Sequence, residues 1–383
     1  MFQALNERGK LFVIYKMPPQ EVGKLKKGTR FFCPDCREAV MLRSGPLTTP
    51  HFAHYPSSLC SSRRGGESEY HEKGKLLLFK WLAQQNYHVE LEPFLSEIDQ
   101  RPDLLLKIKS KRIAIELQCS KISSKEVVKR NKGYQKLDIN PLWLLGGRQF
   151  VRSGQSLLQS HALFRELQYY FNGQYVLYFF DVSQLSIIVA GPLQGLAPSR
   201  LFSNFHTLPL RHIKFPHLFL TSQKKNPSFY NSWINQMIRF RTTYHRNAGS
   251  EESQLRQLLY LKGLHLSLIP SLCYLPVKSQ SLTAKPAYVW QTRFIIDYFM
   301  KLPLGGEVKP PASMTVTTAN GFTANLNEEY LDTLALFGIV DKISPSIWVK
   351  LKDIEWPNHV ETAVKEDQQI IDRLKKFPEM AGI

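Results

Sequence analysis

The stretch RPDLLLKIKSKRIAIELQCSKIS, Arg101 to Ser123, constrains this chain more than any other. A Pro-Asp pair opens an apolar run, a short basic turn follows, and a second apolar run is interrupted by Glu116 and Gln118. Side chains alternate along a strand, so Ile113, Ile115 and Leu117 point to one face and Glu116 and Gln118 to the other. With Lys109, Ser110 and Lys111 as the turn of a hairpin, the two runs pair antiparallel and Asp103 falls nearly opposite Glu116. Two carboxylates and a carboxamide then meet at the edge of an otherwise apolar sheet. Burying such groups without partners is costly, and a divalent cation is the simplest partner.

The surrounding pattern supplies helices for that sheet. ESEYHEKGKLLLFKWLAQ, from about Glu67 to Gln84, reads as a helix whose apolar face is Leu77, Leu78, Trp81 and Leu82. Glu67, His71 and Lys75 recur every four residues, and their stripe continues into Leu78 and Leu82, so the first turns of the buried face are polar. Tyr87 to Leu95 reads as a strand, about Ser124 to Leu137 as a helix with Arg130 and Tyr134 on one face, and Pro141 to Leu145 as a short apolar strand. That order predicts an α/β core with helices packed on a mixed sheet. Phe164 to Phe171 is expected to be helical, and Tyr175 to Ala190 a strand pair. From about Thr221 the texture becomes helical: a helix capped near Asn231, another starting at Ser250, then Val289 to Lys301 and Glu328 to Gly338. The expected organisation is a β-rich zinc-binding module over 1–62, the α/β domain over 63–220, and a mainly helical C-terminal domain over 221–383.

The N-terminal module owes its expected metal to FFCPDCREAVMLRSGPLTTPHFAHYPSSLC, residues 31–60. A Cys-x2-Cys turn brings two sulfurs to one ion, and thiolate with imidazole suits tetrahedral Zn²⁺. Five ligands present themselves, Cys33, Cys36, His51, His54 and Cys60, where a structural site needs four. The two histidines with Cys33 and Cys36 are the first choice, and Cys60 the alternative. Five cysteines and no export signal argue against a disulfide framework.

Charge points to the partner. The net charge is +18, divided as +11 over residues 1–150, +11 over 151–323 and −4 over 324–383. A cationic surface gains affinity for nucleic acid by releasing condensed counterions. No run of 18 apolar residues occurs, which excludes a transmembrane helix, and a cytoplasmic location is expected.

Helix and hairpin together assemble Glu67, Asp103, Glu116 and Gln118, with His71, Lys75 and Lys121 nearby. Hydrolysing a phosphodiester requires neutralised phosphate charge and a nucleophile made from water, and Mg²⁺ (or Mn²⁺) on one or two carboxylates serves both needs. Pro102-Asp103, the segment Glu116-Leu117-Gln118 and the upstream Glu67 resemble the PD-(D/E)xK nuclease motif, with Gln118 standing where Lys is usual. More closely, CPDC…HFAH, GESEYHEKGK, RPDLLL…IAIELQCSKIS and PLWLL resemble the CoiA-type competence proteins over residues 1 to about 150. That resemblance implies a restriction-endonuclease-like central domain and a role in natural transformation, acting on incoming single-stranded DNA as it recombines, beside the recombinase RecA. It also implies that Glu67, Asp103, Glu116 and Gln118 are the nuclease-like positions, with Asp103 and Glu116 as Mg²⁺ ligands. His71, Lys75, Lys121, Arg130 and Tyr134 are then expected at the DNA, because Arg and Lys bond phosphate oxygens and tyrosine stacks on bases. The alternative is a catalytically silent DNA-binding mediator of recombination that keeps the nuclease fold.

Overall fold

The computed structural model describes residues 1–376, except 26–27, 35, 46–47, 59, 61–67, 221–227 and 244–247. The chain divides into two compact units: residues 1–150, 178–189 and 206–220 form the first, and 151–177, 190–205 and 221–383 the second.

The first unit opens with a small antiparallel sheet of β1 (Gln3–Asn6), β2 (Leu11–Val13), β3 (Phe31–Phe32), β4 (Ala39–Gly45) and β5 (Thr48–His54), in the order β2-β1-β3-β4-β5. A short helix, α1 (Pro19–Leu25), interrupts it. Phe12, Phe31 and Phe52 stack edge-on or tilted through its centre. Helix α2 (Glu69–Ala83) starts from Ser68, whose side chain accepts the His71 N–H as an N-cap.

The main sheet follows. Strands β6 (His88–Leu91), β7 (Leu104–Ile108) and β8 (Lys111–Gln118) run antiparallel in succession. Helix α3 (Ser124–Lys136) then returns the chain to β9 (Ile139–Gly146), parallel to β8 with Glu116 opposite Trp143. The expected hairpin turn is tighter than three residues: Ile108 pairs Lys111, and Lys109 takes φ 54° to close a two-residue loop. The ladder pairs Leu104 with Ile115, so Asp103 comes out beside Glu116.

The sheet is covered on both faces, which is why the middle of β8, Ile113-Ala114-Ile115, is continuously apolar. On one side α2 lies close: a Cβ at Gly74 would strike Leu117. On the other, Tyr134 of α3 packs with Leu105, Ala114 and Ile139. Burying Leu104, Leu106, Ile115, Leu117 and Leu142–Leu145 removes each from water at about 1.5–3 kcal/mol per large side chain.

Past β9 the chain forms β10 (Leu157–Gln159), α4 (Ala162–Glu166), β11 (Tyr169–Phe171), β12 (Gln174–Asp181), β13 (Ser186–Ala190), β14 (Gln194–Ala197), β15 (Arg200–Phe202) and β16 (Phe205–Pro209). The main sheet continues from β9 through β12 and β13 to β16. The helix expected over 164–171 breaks after Glu166. Tyr169–Phe171 instead pairs with Gln174–Val176 across Asn172 and Gly173, both at positive φ, as an Asn-Gly hairpin turn requires.

In the second unit α5 (Ser228–Thr242), α6 (Ser250–Leu261), α7 (Ala287–Asp297), α8 (Leu326–Ala335) and α9 (Val360–Lys376) enclose one large apolar cluster. Helix α5 begins ahead of the cap expected near Asn231, because Phe229 and Tyr230 are buried on the same face as Trp233, Ile234 and Met237. Residues 151–177 and 190–205, assigned by sequence to the central domain, lie in this second unit. Among the described residues, no helix is long and apolar enough to cross a membrane.

Candidate functional site

Asp103 stands one residue before β7 and turns its carboxylate across the end of β8. Its Oδ2 accepts the Leu117 N–H at 2.8 Å and lies 3.1 Å from His71 Nε2 on α2. Asp103 and His71 are each largely buried, with about one-seventh of their side chains open to water. Glu116 sits deeper. Its Oε1 accepts Arg130 Nε at 3.2 Å, a second bond from Arg130 Nη2, and the Tyr134 hydroxyl. Arg130 also donates to the Arg101 carbonyl at 2.9 Å, which fastens α3 to the chain entering β7.

The electrostatics follow from this packing. Burial pushes the Glu116 carboxyl above its ordinary range, and nearby Asp103 adds to the shift while Arg130 and Tyr134 oppose it. Burial works against the Arg130 charge, but Glu116 outweighs it and keeps the guanidinium protonated. Burial also raises the Tyr134 hydroxyl, which therefore stays a donor. Two mutually repelling carboxylates from neighbouring segments, one still partly open, are a donor set that suits a hard, oxygen-seeking divalent ion. Asp103 would be its principal ligand and Glu116, already half-neutralised by Arg130, the second. Gln118 shares the Glu116 face of β8, but its Nε2 donates to Ser120 O at 2.8 Å and so points away along the strand.

The remaining expected residues divide. Glu67 lies outside the described residues. Lys121 is exposed just beyond β8. Lys75, expected at the DNA, is wholly buried: its ammonium bonds Glu92 and lies 3.7 Å from Glu72 Oε2. Glu92 in turn accepts the Phe2 N–H at 2.6 Å, and Gln3 Nε2 donates to Leu91 O at 2.8 Å, so this cluster ties the N-terminal sheet to α2 and β6. The stripe from His71 to Leu82 is therefore an inward face along its length, and a lysine there needs acidic partners rather than phosphate. Tyr134 has no exposed ring to stack on a base, and both it and Arg130 are spent on Glu116. Glu72 and Glu92, which no sequence signal singled out, are the acidic partners of Lys75.

A second constellation lies in the N-terminal sheet. The ligand atoms of Cys33, Cys36, His54 and Cys60 all fall within 4.8 Å of one another, with Cys36 Sγ 3.4 Å from His54 Nε2. A tetrahedron with bonds of about 2.0–2.3 Å sets its corners about 3.3–3.8 Å apart, so this Cys3His set fits Zn²⁺. The knuckle is closed by Arg37 N–H on Cys33 O at 3.0 Å, with Arg37 at φ 61°. His51, expected as a ligand, is excluded by strand parity. It is three residues from His54 on β5 and points to the opposite face, and Cys60 completes the set. Burial, with Cys60 and Cys33 crowded beside it, pushes the metal-free Cys36 thiol up to about 12.

Residues 67–223 match the family described as "Competence protein CoiA, nuclease-like domain", residues 229–364 its C-terminal domain and residues 14–63 its N-terminal domain. The "Competence protein CoiA" of Bacillus subtilis (strain 168) is 31% identical over 300 residues, covering 76% of this chain and 77% of that protein. No solved structure matches. With all three family domains in order and a relative of this similarity, the chain belongs to the CoiA family of competence proteins.

Proposed function

We propose that this protein hydrolyses phosphodiester bonds of DNA during natural transformation, acting beside the recombinase RecA on incoming single strands, with a divalent ion at Asp103 and Glu116. The observation that carries the reading is the β7–β8 register, which sets Asp103 beside Glu116 within a segment matched by a nuclease-like family domain. A bound Mg²⁺ would supply charge neutralisation at the scissile phosphate and a more acidic water. The protein's own residues do the rest. Leu117 N–H and His71 orient the Asp103 carboxylate, and Arg130 and Tyr134 fix Glu116. The His71 Nε2–H donates to Asp103 and the Gln118 amide cannot take up a proton, so neither atom serves as the base that activates the water.

One observation favours a second reading, a silent DNA-binding mediator. The Gln118 amide is committed to Ser120, leaving the usual lysine's place without a group aimed at the carboxylates. The two readings separate in one experiment on the full chain, with single-stranded, duplex and branched DNA, with and without Mg²⁺ or Mn²⁺. Metal-dependent cleavage that Glu116→Gln abolishes supports hydrolysis. Tight, metal-independent binding of intact DNA supports the mediator.

A further inference from the structure

The outer face of α3 carries a charge pattern that the carboxylate site does not use. Lys125, Lys129, Lys132 and Lys136 are all exposed. At 3.6 residues per turn, spacings of four, three and four put them on one stripe, which runs about 16 Å along the helix axis. Like charges at such spacing destabilise a helix, and no ion pair among the described residues relieves any of the four. They line one wall of a groove of about 620 Å³ whose other wall is the segment 96–100. Gly133 makes the groove narrow: a Cβ there would strike the Gln100 side chain, whose Nε2 donates to Lys129 O at 3.3 Å.

We propose that this groove tracks the phosphate backbone of a nucleic-acid strand and feeds it to the Asp103–Glu116 site, an inference that rests on the DNA reading above. Groove and site are built from the same two segments. The wall 96–100 runs on through Arg101 to Asp103, and the inward face of the same helix presents Arg130 to Glu116. Glu97 and Asp99 on the far wall repel phosphate and hold the strand against the lysines. Lysine ammoniums are point donors to phosphate without a base preference, which suits a protein that must accept any incoming sequence.

The test is binding of labelled single-stranded and duplex oligonucleotides by the full chain, in buffer without Mg²⁺, Mn²⁺ or chelator, over a salt series. The variant carries Lys→Gln at 125, 129, 132 and 136, which preserves helix propensity. A control carries Lys→Gln at the equally exposed positions 262, 301, 352 and 365 of the second unit. The slope of log affinity against log salt should become shallower by about 0.7 for each lost contact on a single strand, up to about 2.8, or about 0.9 each on duplex. Affinity near 0.1 M salt should fall about tenfold or more, with the control close to the parent. A groove variant indistinguishable from the control would overturn the groove while leaving the DNA reading intact. A parent that binds no nucleic acid would overturn both, and competition by polyglutamate as effective as DNA would assign the groove to an acidic protein instead.

Discussion

Replacing Arg130 by Ala strands the Glu116 carboxylate in the interior. Breaking a buried ion pair costs about 3–5 kcal/mol. Here 24% of the Arg130 side chain reaches water, so solvent takes over part of its role, and about 2–3 kcal/mol is the expected loss. For a unit of this size that lowers the melting temperature by about 4–12 °C. The pH dependence follows from the direction of the Glu116 shift. Burial already holds this carboxyl above its ordinary value, and losing Arg130 raises it further. The folded chain then binds the proton more tightly than the unfolded chain, so stability falls as pH rises from the ordinary carboxyl value through the raised one. The deficit of Arg130→Ala should be smallest at the ordinary carboxyl value, grow as pH rises and level off above the raised one, in thermal unfolding followed by circular dichroism. Arg130→Ala combined with Glu116→Gln leaves no charge to strand and should recover most of the loss. A deficit equal at every pH, or a double variant no more stable than the single, would refute this reasoning.

Other consequences are as direct. Lys75→Ala leaves Glu92 buried without its ammonium; it should cost about 3–5 kcal/mol in chemical unfolding yet leave the salt slope of DNA binding unchanged. His51→Ala should retain the full zinc content by metal analysis, while His54→Ala and Cys60→Ser should lose it. Because the metal-free Cys36 thiol is raised to about 12, zinc uptake must release protons, and zinc affinity should climb with pH across the neutral range in a competition with a chromogenic chelator. Gly133→Leu should narrow or close the groove against Gln100 and weaken DNA binding more than it lowers stability.

The hairpin and its carboxylates were legible because strand alternation and a two-residue turn are local properties. Asp103, Glu116 and the α3 residues Arg130 and Tyr134 all lie within 32 positions of one another, and the structure does bring them together. Burial of Lys75 was half-legible: its stripe leads into Leu78 and Leu82, but its partner Glu92, which also accepts the Phe2 N–H, comes from the end of β6, away from the helix in sequence. The zinc ligands obey a local rule, since His51 and His54, three residues apart on one strand, cannot share a face. The Asn172-Gly173 turn likewise carried a signal, obscured by the helical spacing of the aromatic residues before it. What no local pattern announces is that Gln118, though on the correct face, spends its amide on Ser120.

The most direct measurement of the central claim is single-turnover cleavage of an end-labelled single strand in Mg²⁺ by the parent protein and by Asp103→Ala, both well above saturation. The parent should cut the strand and the variant should leave it intact. Equal scission by both, or a parent that binds the strand and never cuts it, would contradict that claim.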